Sequence, residues 1–346
     1  MPSSARACLG WSRRLPYSPV ETAGIEQNRR GPGKIREFLS VDEIRSLHVT
    51  SPWRVAASGL AIWLTIGLAL AACALYPYAW VYALAFIVIG VQQLALSHLV
   101  HDACHYNVSR TKSANDWISD VFFAAPTLIS TASYRNQHLP HHANLGSWEN
   151  DTDRRAWYNI RGRRFIARTL FALSGLEAAT TILAYAKVGA LSLEETGQRW
   201  RRPVLVAGTQ ALIFGYCYAL GIPLAYVLLW VAPLFTVTMF LLTLRVIAEH
   251  QTEEYAAASD DAFNRSLPEP LIRTVQPGWL GRWSLGSINF FYHHEHHLLP
   301  GVPYTKLPAL HALLRQRGYY DRYREALGPN YTRTLVRLVF PRAQAE

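Results

Sequence analysis

Two long blocks without a single charged side chain dominate the sequence. The first runs from residue 55 to residue 97 and the second from residue 203 to residue 244. A helix needs about 20 apolar residues to cross the hydrocarbon core of a bilayer, so each block is long enough for two spans. A short proline-containing segment interrupts each block, at residues 76–78 and 221–223. Because proline breaks a helix, the pattern predicts two helical hairpins, with spans at about 55–76, 78–98, 203–220 and 223–244.

The basic residues predict how these hairpins are oriented. Neither hinge contains Lys or Arg, and the flanks of the hairpins are rich in both. By the positive-inside rule, everything outside the hairpins is expected on the cytoplasmic side, of a bacterial inner membrane or of a eukaryotic internal membrane. The flanking basic residues are Arg29, Arg30, Lys34, Arg36, Arg54, Arg110, Lys112, Arg199, Arg201, Arg202 and Arg245.

The sequence therefore predicts an all-α integral membrane protein. Residues 1–54 are expected to form a cytoplasmic arm, residues 55–315 a membrane domain with a cytoplasmic helical cap, and residues 316–346 a cytoplasmic tail. Two further apolar stretches, at 117–133 and 165–186, are interrupted by charged residues. They are predicted to be amphipathic helices in the membrane interface. The four cysteines form no CxxC pair, which favours a reduced, cytoplasm-facing protein.

Thirteen histidines occur in the chain, and most of them fall into short clusters directly after the two hairpins. Residues three or four apart share one face of a helix, so the HxxxH and HxxHH patterns direct several imidazoles at one point. With four spans, all clusters emerge on the same side of the membrane and can converge. The clustered candidates are His101, His105, His138, His141, His142, His250, His293, His296 and His297.

Nine imidazoles exceed what one tetrahedral zinc ion can use, so two metal ions with four or five ligands each are predicted. Imidazole suits zinc, copper, nickel and iron. His98 and His294 lie beside better-spaced sets and are not expected to be ligands, and His48 and His311 are expected to be ordinary histidines. Carboxylates that accept hydrogen bonds from the free ring nitrogens are predicted nearby. The candidates are Asp102, Glu149, Asp151, Glu249 and Glu295.

These motifs resemble the membrane fatty acid desaturase family. The resemblance rests on HDACH at 101–105, RNQHLPHH at 135–142, RVIAEH at 245–250 and NFFYHHEHHLLPGVPYTKLP at 289–308. It implies a mushroom-like helical fold with four spans and a cytoplasmic cap, and a di-iron centre held by the nine histidines named above. It also makes Asn289 a candidate near the iron, through a water molecule, and it assigns Arg135 no clear chemical role beyond packing.

The resemblance implies an O₂-dependent desaturase that introduces a C=C bond into a fatty acyl or related lipid chain. Removing hydrogen from an unactivated methylene needs a redox-active metal, which excludes zinc. Electrons are expected from a separate ferredoxin, rubredoxin or cytochrome and its reductase, and an acidic carrier would suit the net charge of +10. No nucleic-acid partner is expected.

Three alternatives stay open on the same scaffold: hydroxylation of a lipid or alkane, ketolation or hydroxylation of a carotenoid, and desaturation of a small natural-product molecule. A metal transporter is disfavoured, because the predicted spans carry no charged residue that could line a path and the histidines cluster at or beyond the span ends.

Overall fold

The computed structural model describes residues 35–145, 151, 160–196, 200–250 and 272–340. This part of the chain is mostly helical, which confirms the predicted helical class. The predicted carboxylate Glu149 lies outside the described residues, as do most of the N-terminal arm and the last six residues. The first helices, in chain order, are α1 (Val41–Leu47), α2 (Pro52–Leu75), α3 (Ala79–Cys104), α4 (Lys112–Ser119), α5 (Thr131–Ala143), α6 (Arg163–Leu173) and α7 (Leu176–Thr196).

The second half begins with a helix that is followed by an irregular one. After α8 (Arg201–Ala219), the segments Tyr226–Val231 and Leu234–Thr238 have π-helical geometry and lead directly into α9 (Met239–Glu249). The remaining elements are short and form the cap. They are β1 (Thr274–Val275), α10 (Trp279–Ser284), α11 (His293–Leu298), α12 (Leu307–Gln316), α13 (Tyr319–Arg322), β2 (Leu327–Gly328) and α14 (Tyr331–Val339).

Three helical segments of the described chain are long and apolar enough to cross a membrane. They are Val41–Leu75, which joins α1 and α2, then Ala79–Cys104 and Tyr226–Glu249. These coincide with the first, second and fourth predicted spans. The third predicted span coincides with α8, which does not meet the same measure of length and composition. Together, α6 and α7 satisfy this measure of length and composition, but only as one span that is bent by 75° between Leu173 and Leu176.

Helix α3 lies at the centre of the apolar bundle. It packs against α2, α5 and both π-helical segments. Two polar contacts fasten it there: Gln93 donates to the carbonyl of Trp230 across 2.7 Å, and Thr238 donates to the carbonyl of Gly90 across 3.0 Å. Gly90 itself permits the close approach, because a Cβ at this position would lie 2.6 Å from the Cβ of Val237.

The cap closes over the ends of α3 and α9. A two-residue parallel ladder pairs Thr274 with Leu327 and Val275 with Gly328. Residues after 315 belong to this cap, since Tyr319 and Leu338 are buried in it. Helices α9 and α14 are in contact, which places the C-terminal helix beside the end of an apolar span.

Candidate metal centre

The first histidine cluster occupies the last turn of α3. His101 is buried in that turn, and His105 is the C-terminal capping residue. The helix ends there because Tyr106 takes a left-handed conformation, with φ of 62°. Such a conformation costs a non-glycine residue about 1 kcal/mol or more, so the surrounding contacts must hold it.

The second cluster lies on α5, whose first turn is capped by Ser130. The Ser130 hydroxyl accepts from the backbone N–H of Ser133, and the Ser133 hydroxyl accepts from the N–H of Ser130. This reciprocal cap starts the helix two turns before the histidines. His138 and His142 are one turn apart and face the same way, with their Nε2 atoms separated by 2.8 Å.

The last cluster lies on the short helix α11. The chain enters it through Ile288 and Asn289, whose φ angles of 50° and 64° are both left-handed. After this turn the histidines of α11 lie against those of α3 and α5: the ring centroid of His296 is 4.5 Å from that of His101 and 4.9 Å from that of His142. His250 joins them as the C-terminal capping residue of α9, and its Nδ1 hydrogen-bonds the carbonyl of Val246.

The structure gathers eight of the nine predicted ligands into two groups. Within each group, one nitrogen of every imidazole lies within 4.8 Å of those of all other members. Nitrogens about 2.1 Å from a common metal lie within this range of one another. The first group contains His101, His105, His138, His142 and His296, and the second contains His141, His250 and His297.

Adjacent residues are divided between the two groups. His141 and His142 follow each other on α5, and so do His296 and His297 on α11, yet each pair contributes one member to each group. Successive side chains on a helix point about 100° apart, so a helix that passes between two sites serves both. The first group has five imidazoles, within the predicted four or five, and the second has three, one fewer than predicted.

Several of these nitrogens have no hydrogen-bond partner among the described residues. They include both ring nitrogens of His101 and the Nε2 atoms of His105 and His297. Burial lowers the pKa of His105 and of His250 to about 3, so both imidazoles are neutral at pH 7. The lone pairs of buried nitrogens repel one another when no proton lies between them, and a cation between them removes this repulsion. The donor set therefore fits metal ions.

His293 lies at the edge of the second group. Its Nε2 is 3.5 Å from that of His250, but Arg245 donates to its Nδ1 across 3.2 Å. A neutral imidazole that accepts at Nδ1 carries its proton on Nε2, and Nε2 is the nitrogen that a metal would need. The Glu249 carboxylate, which could instead accept a proton from Nδ1, is 3.6 Å away.

The other predicted carboxylates differ in where they lie. Asp151 accepts from Nδ1 of His141 across 2.8 Å, which orients that imidazole as a carboxylate behind a metal ligand does. Asp102 instead accepts from the Asn107 side chain and from the backbone N–H of Tyr304. It joins the first cluster to the segment at 301–304.

Glu295 and Asn289 also make their contacts away from the two groups. The buried Glu295 carboxylate accepts from Thr274, Tyr320 and His311, and so fastens the outer side of α11 to β1, α13 and α12. The Asn289 amide donates to the carbonyl of Tyr304 across 3.4 Å.

The four histidines that were not expected to bind metal lie outside both groups. His294 contacts the carbonyl of Ile272 and the hydroxyl of Tyr319. His98 contacts Ser287, and its ring stacks on Phe290. His48 is exposed at the end of α1, and His311 contacts Glu295.

Arg135 has a larger role than the sequence indicated. Its guanidinium donates to the carbonyls of Ala103 and Cys104, at the end of α3, and forms a paired hydrogen bond with Asp116. It also lies 4.0 Å from the ring centroid of Tyr106. Arg135 thus satisfies the last carbonyls of the helix that carries the first cluster, from the helix that carries the second.

A cavity of about 80 Å³ adjoins the first group. His101 and Tyr134 form its wall on the side of the imidazoles, and Ile182, Leu234 and Leu242 form apolar walls. The cavity lies between α3, α7 and α9, at the level where the apolar bundle meets the cap. An apolar substrate carbon in this cavity would lie beside the first group.

The matching family model, for fatty acid desaturases, covers residues 76–327. The chain belongs to this family, which confirms the resemblance found in its histidine motifs. It is 27% identical over 240 residues to a dihydrorhizobitoxine desaturase of Bradyrhizobium elkanii. The match covers 66% of this chain and 66% of that curated relative. Family membership and the desaturase-named relative support an oxidoreductase of the desaturase type.

Proposed function

We propose that this chain is an O₂-dependent membrane desaturase with a di-iron centre. The observation that carries the proposal is the convergence of two groups of buried imidazoles beside an apolar cavity. The proposed ligands are His101, His105, His138, His142 and His296 for one iron, and His141, His250, His293 and His297 for the other. His293 would complete the second set in its other tautomer, which carries the proton on Nδ1 and donates it to Glu249. Nε2 is then free to bind the metal.

Bound iron would supply the oxidising chemistry that histidine cannot. Reduction of O₂ to two waters takes four electrons: two come from the C–H bonds that become C=C, and two come from a separate carrier. The protein holds the substrate carbon in the cavity beside His101 and keeps water from it with Ile182, Leu234 and Leu242. We propose a ferredoxin, rubredoxin or cytochrome as the carrier, and the cytoplasm as the side that it approaches.

Two substrate classes have support. A fatty acyl or related lipid chain fits the family and a cavity at the edge of an apolar bundle. The second class is a small non-lipid molecule. The name of the Bradyrhizobium relative agrees with the second class.

Metal analysis tests the centre directly. Purified wild-type protein is expected to hold about two iron ions per chain, and His138→Ala fewer, because each lost ligand weakens a site that all members of the group build. His48→Ala is the matched control, since His48 is exposed and outside both groups. Equal iron content in all three proteins would contradict the proposed ligands.

Mass spectrometry of lipid and polar extracts tests the reaction. Cells that express wild type or His138→Ala are compared, with an electron donor supplied. Loss of two hydrogens from a lipid, in the wild type only, supports acyl desaturation, and the same loss from a polar metabolite supports the small-molecule class. Gain of one oxygen in the wild type would contradict desaturation and favour the hydroxylase alternative.

A further inference from the structure

Helices α10 and α14 present large apolar side chains outside the spans. Trp279 is 82% exposed and Phe340, at the end of α14, is 74% exposed. Leu280, Trp283 and Val336 are exposed on the same two helices. Soluble proteins bring few such side chains together on one exposed surface, so this surface indicates a partner.

The two helices are neighbours. A Cβ at Gly281 of α10 would lie 3.1 Å from the ring of Tyr331 on α14. Tyr331 and Leu285, the residue after α10, belong to one hydrophobic cluster. The exposed side chains of both helices therefore belong to one surface, which we call the Trp279–Phe340 surface: Trp279, Leu280, Arg282, Trp283, Arg333, Val336, Arg337 and Phe340.

The charged side chains of this surface are all basic. Arg282 lies on α10, and Arg333 and Arg337 lie on the exposed side of α14. No Asp or Glu occurs from residue 272 to residue 294, or from residue 329 to residue 340. Tryptophan and arginine without acid are the side chains that suit the headgroup level of a membrane.

The packing of α14 against α9 determines how deep α14 lies relative to the bilayer. Leu335 of α14 shares a hydrophobic cluster with Leu241 and Leu244 of α9. Both leucines lie within the uncharged block that ends at residue 244 and within the candidate span Tyr226–Glu249. With a rise of 1.5 Å per residue, Leu244 is only about 8 Å below the end of that span. Helix α14 therefore lies at the level where the span leaves the bilayer.

We propose that the Trp279–Phe340 surface lies in the membrane interface and binds anionic phospholipid. Its aromatic side chains would enter the boundary between headgroups and acyl chains, while the three arginines contact lipid phosphates. A protein partner fits less well, because a surface at this depth faces lipid first. The C-terminal helix would then be a membrane anchor rather than part of a free cytoplasmic tail.

Spin labels in nanodiscs of mixed zwitterionic and anionic lipid test the depth. Single cysteines are placed at Trp279 and Phe340 in a Cys8→Ser background, because Cys73, Cys104 and Cys217 are buried. The control label replaces Gln316, which is exposed between two arginines at the end of α12. Labels at 279 and 340 are expected to collide with O₂ more often than with a water-soluble nickel complex, and the label at 316 is expected to do the reverse.

The headgroup preference is tested by varying the anionic fraction of the nanodisc. The O₂-to-nickel collision ratio at position 340 is expected to rise with anionic lipid, and to rise less after Arg333→Gln and Arg337→Gln together. Nickel-dominated collisions at both 279 and 340 would overturn the membrane location. A collision ratio that does not change with the anionic fraction would overturn the headgroup preference. Neither readout depends on turnover, so the outcome is independent of the proposed desaturase activity.

Discussion

Tyr331 places its hydroxyl 2.6 Å from Oε1 of Glu249, where both side chains are buried. Burial and the neighbouring carboxylate raise the pKa of Tyr331 well above its ordinary value, so the phenol keeps its proton and donates. The hydrogen bond fixes the end of α9 one residue before His250. Through this contact the C-terminal helix helps to position a proposed metal ligand.

Removing this hydroxyl is expected to destabilise the protein. In Tyr331→Phe, Glu249 loses a donor that water cannot replace, which costs about 1–3 kcal/mol. The free energy of unfolding in detergent, measured by denaturant titration, checks this. Tyr218→Phe on the exposed face of α8 is the control and should have no measurable effect. If Tyr331→Phe unfolds at the same denaturant concentration as the control, the hydrogen bond contributes nothing to stability.

Arg135 supports a second prediction at this scale. Lysine in its place keeps the charge but cannot donate to Ala103, Cys104 and Asp116 together. We expect Arg135→Lys to lose about 2 kcal/mol of stability and a measurable part of its iron, because His105 follows the carbonyls that Arg135 caps. Thermal unfolding and metal analysis check both effects.

The exposed Arg110 provides the matched control for that experiment. Arg110→Lys should match wild type in both measurements, since lysine at an exposed position keeps the charge and loses no described buried contact. Should Arg135→Lys retain full stability and iron content, the guanidinium contacts at the end of α3 would have no bearing on the site.

At the level of elements, the approach of α3 to the second π-helical segment depends on Gly90. A methyl group there would lie 2.6 Å from Val237, far inside contact distance. Gly90→Ala is therefore expected to destabilise by about 1–3 kcal/mol, the usual cost of overpacking. Gly208→Ala on α8 meets nothing within 4 Å and should be neutral or stabilise by up to about 1 kcal/mol.

A compensating change separates packing from other effects of that alanine. In the double variant Gly90→Ala, Val237→Gly, no Cβ remains at position 237 to clash, so the alanine should cost less stability than it does beside Val237. The midpoint of thermal unfolding in one detergent, measured for all four proteins, gives the comparison. An equal cost of Gly90→Ala with valine and with glycine at position 237 would mean that the helix contact does not limit packing.

Sequence alone predicted the elements whose signals are local. The uncharged blocks predicted three helices that are long and apolar enough to be spans. The spacing of His138 and His142 predicted that they share one group, because residues four apart lie on one face of a helix. The direction of the carboxylates was not predictable in this way. Glu295 lies inside a histidine cluster and still faces the cap, and Asp102 contacts Asn107, because tertiary packing decides which side of a short helix is buried.

For the molecule as a whole, the convergence of the imidazoles constrains the topology. His105 follows the end of the span Ala79–Cys104, and His250 follows the end of the span Tyr226–Glu249. Their clusters adjoin, since His142 of the first group directly follows His141 of the second. Because both candidate spans end at one site, we expect them to end on the same side of the bilayer and the chain to cross the bilayer once more between residues 105 and 226.

Two segments compete for that crossing: α8, and the bent pair of α6 and α7. The basic residues before α8 favour α8, so we expect Trp200 on the histidine side and Gly221 on the opposite side, with Tyr78. Single cysteines at these positions, labelled with a membrane-impermeant reagent in oriented vesicles, report the side of each. Labelling of positions 200 and 221 from opposite sides identifies α8 as the fourth span. Labelling of both from the side of position 78 would instead identify the bent pair, and α8 would then lie along the membrane surface.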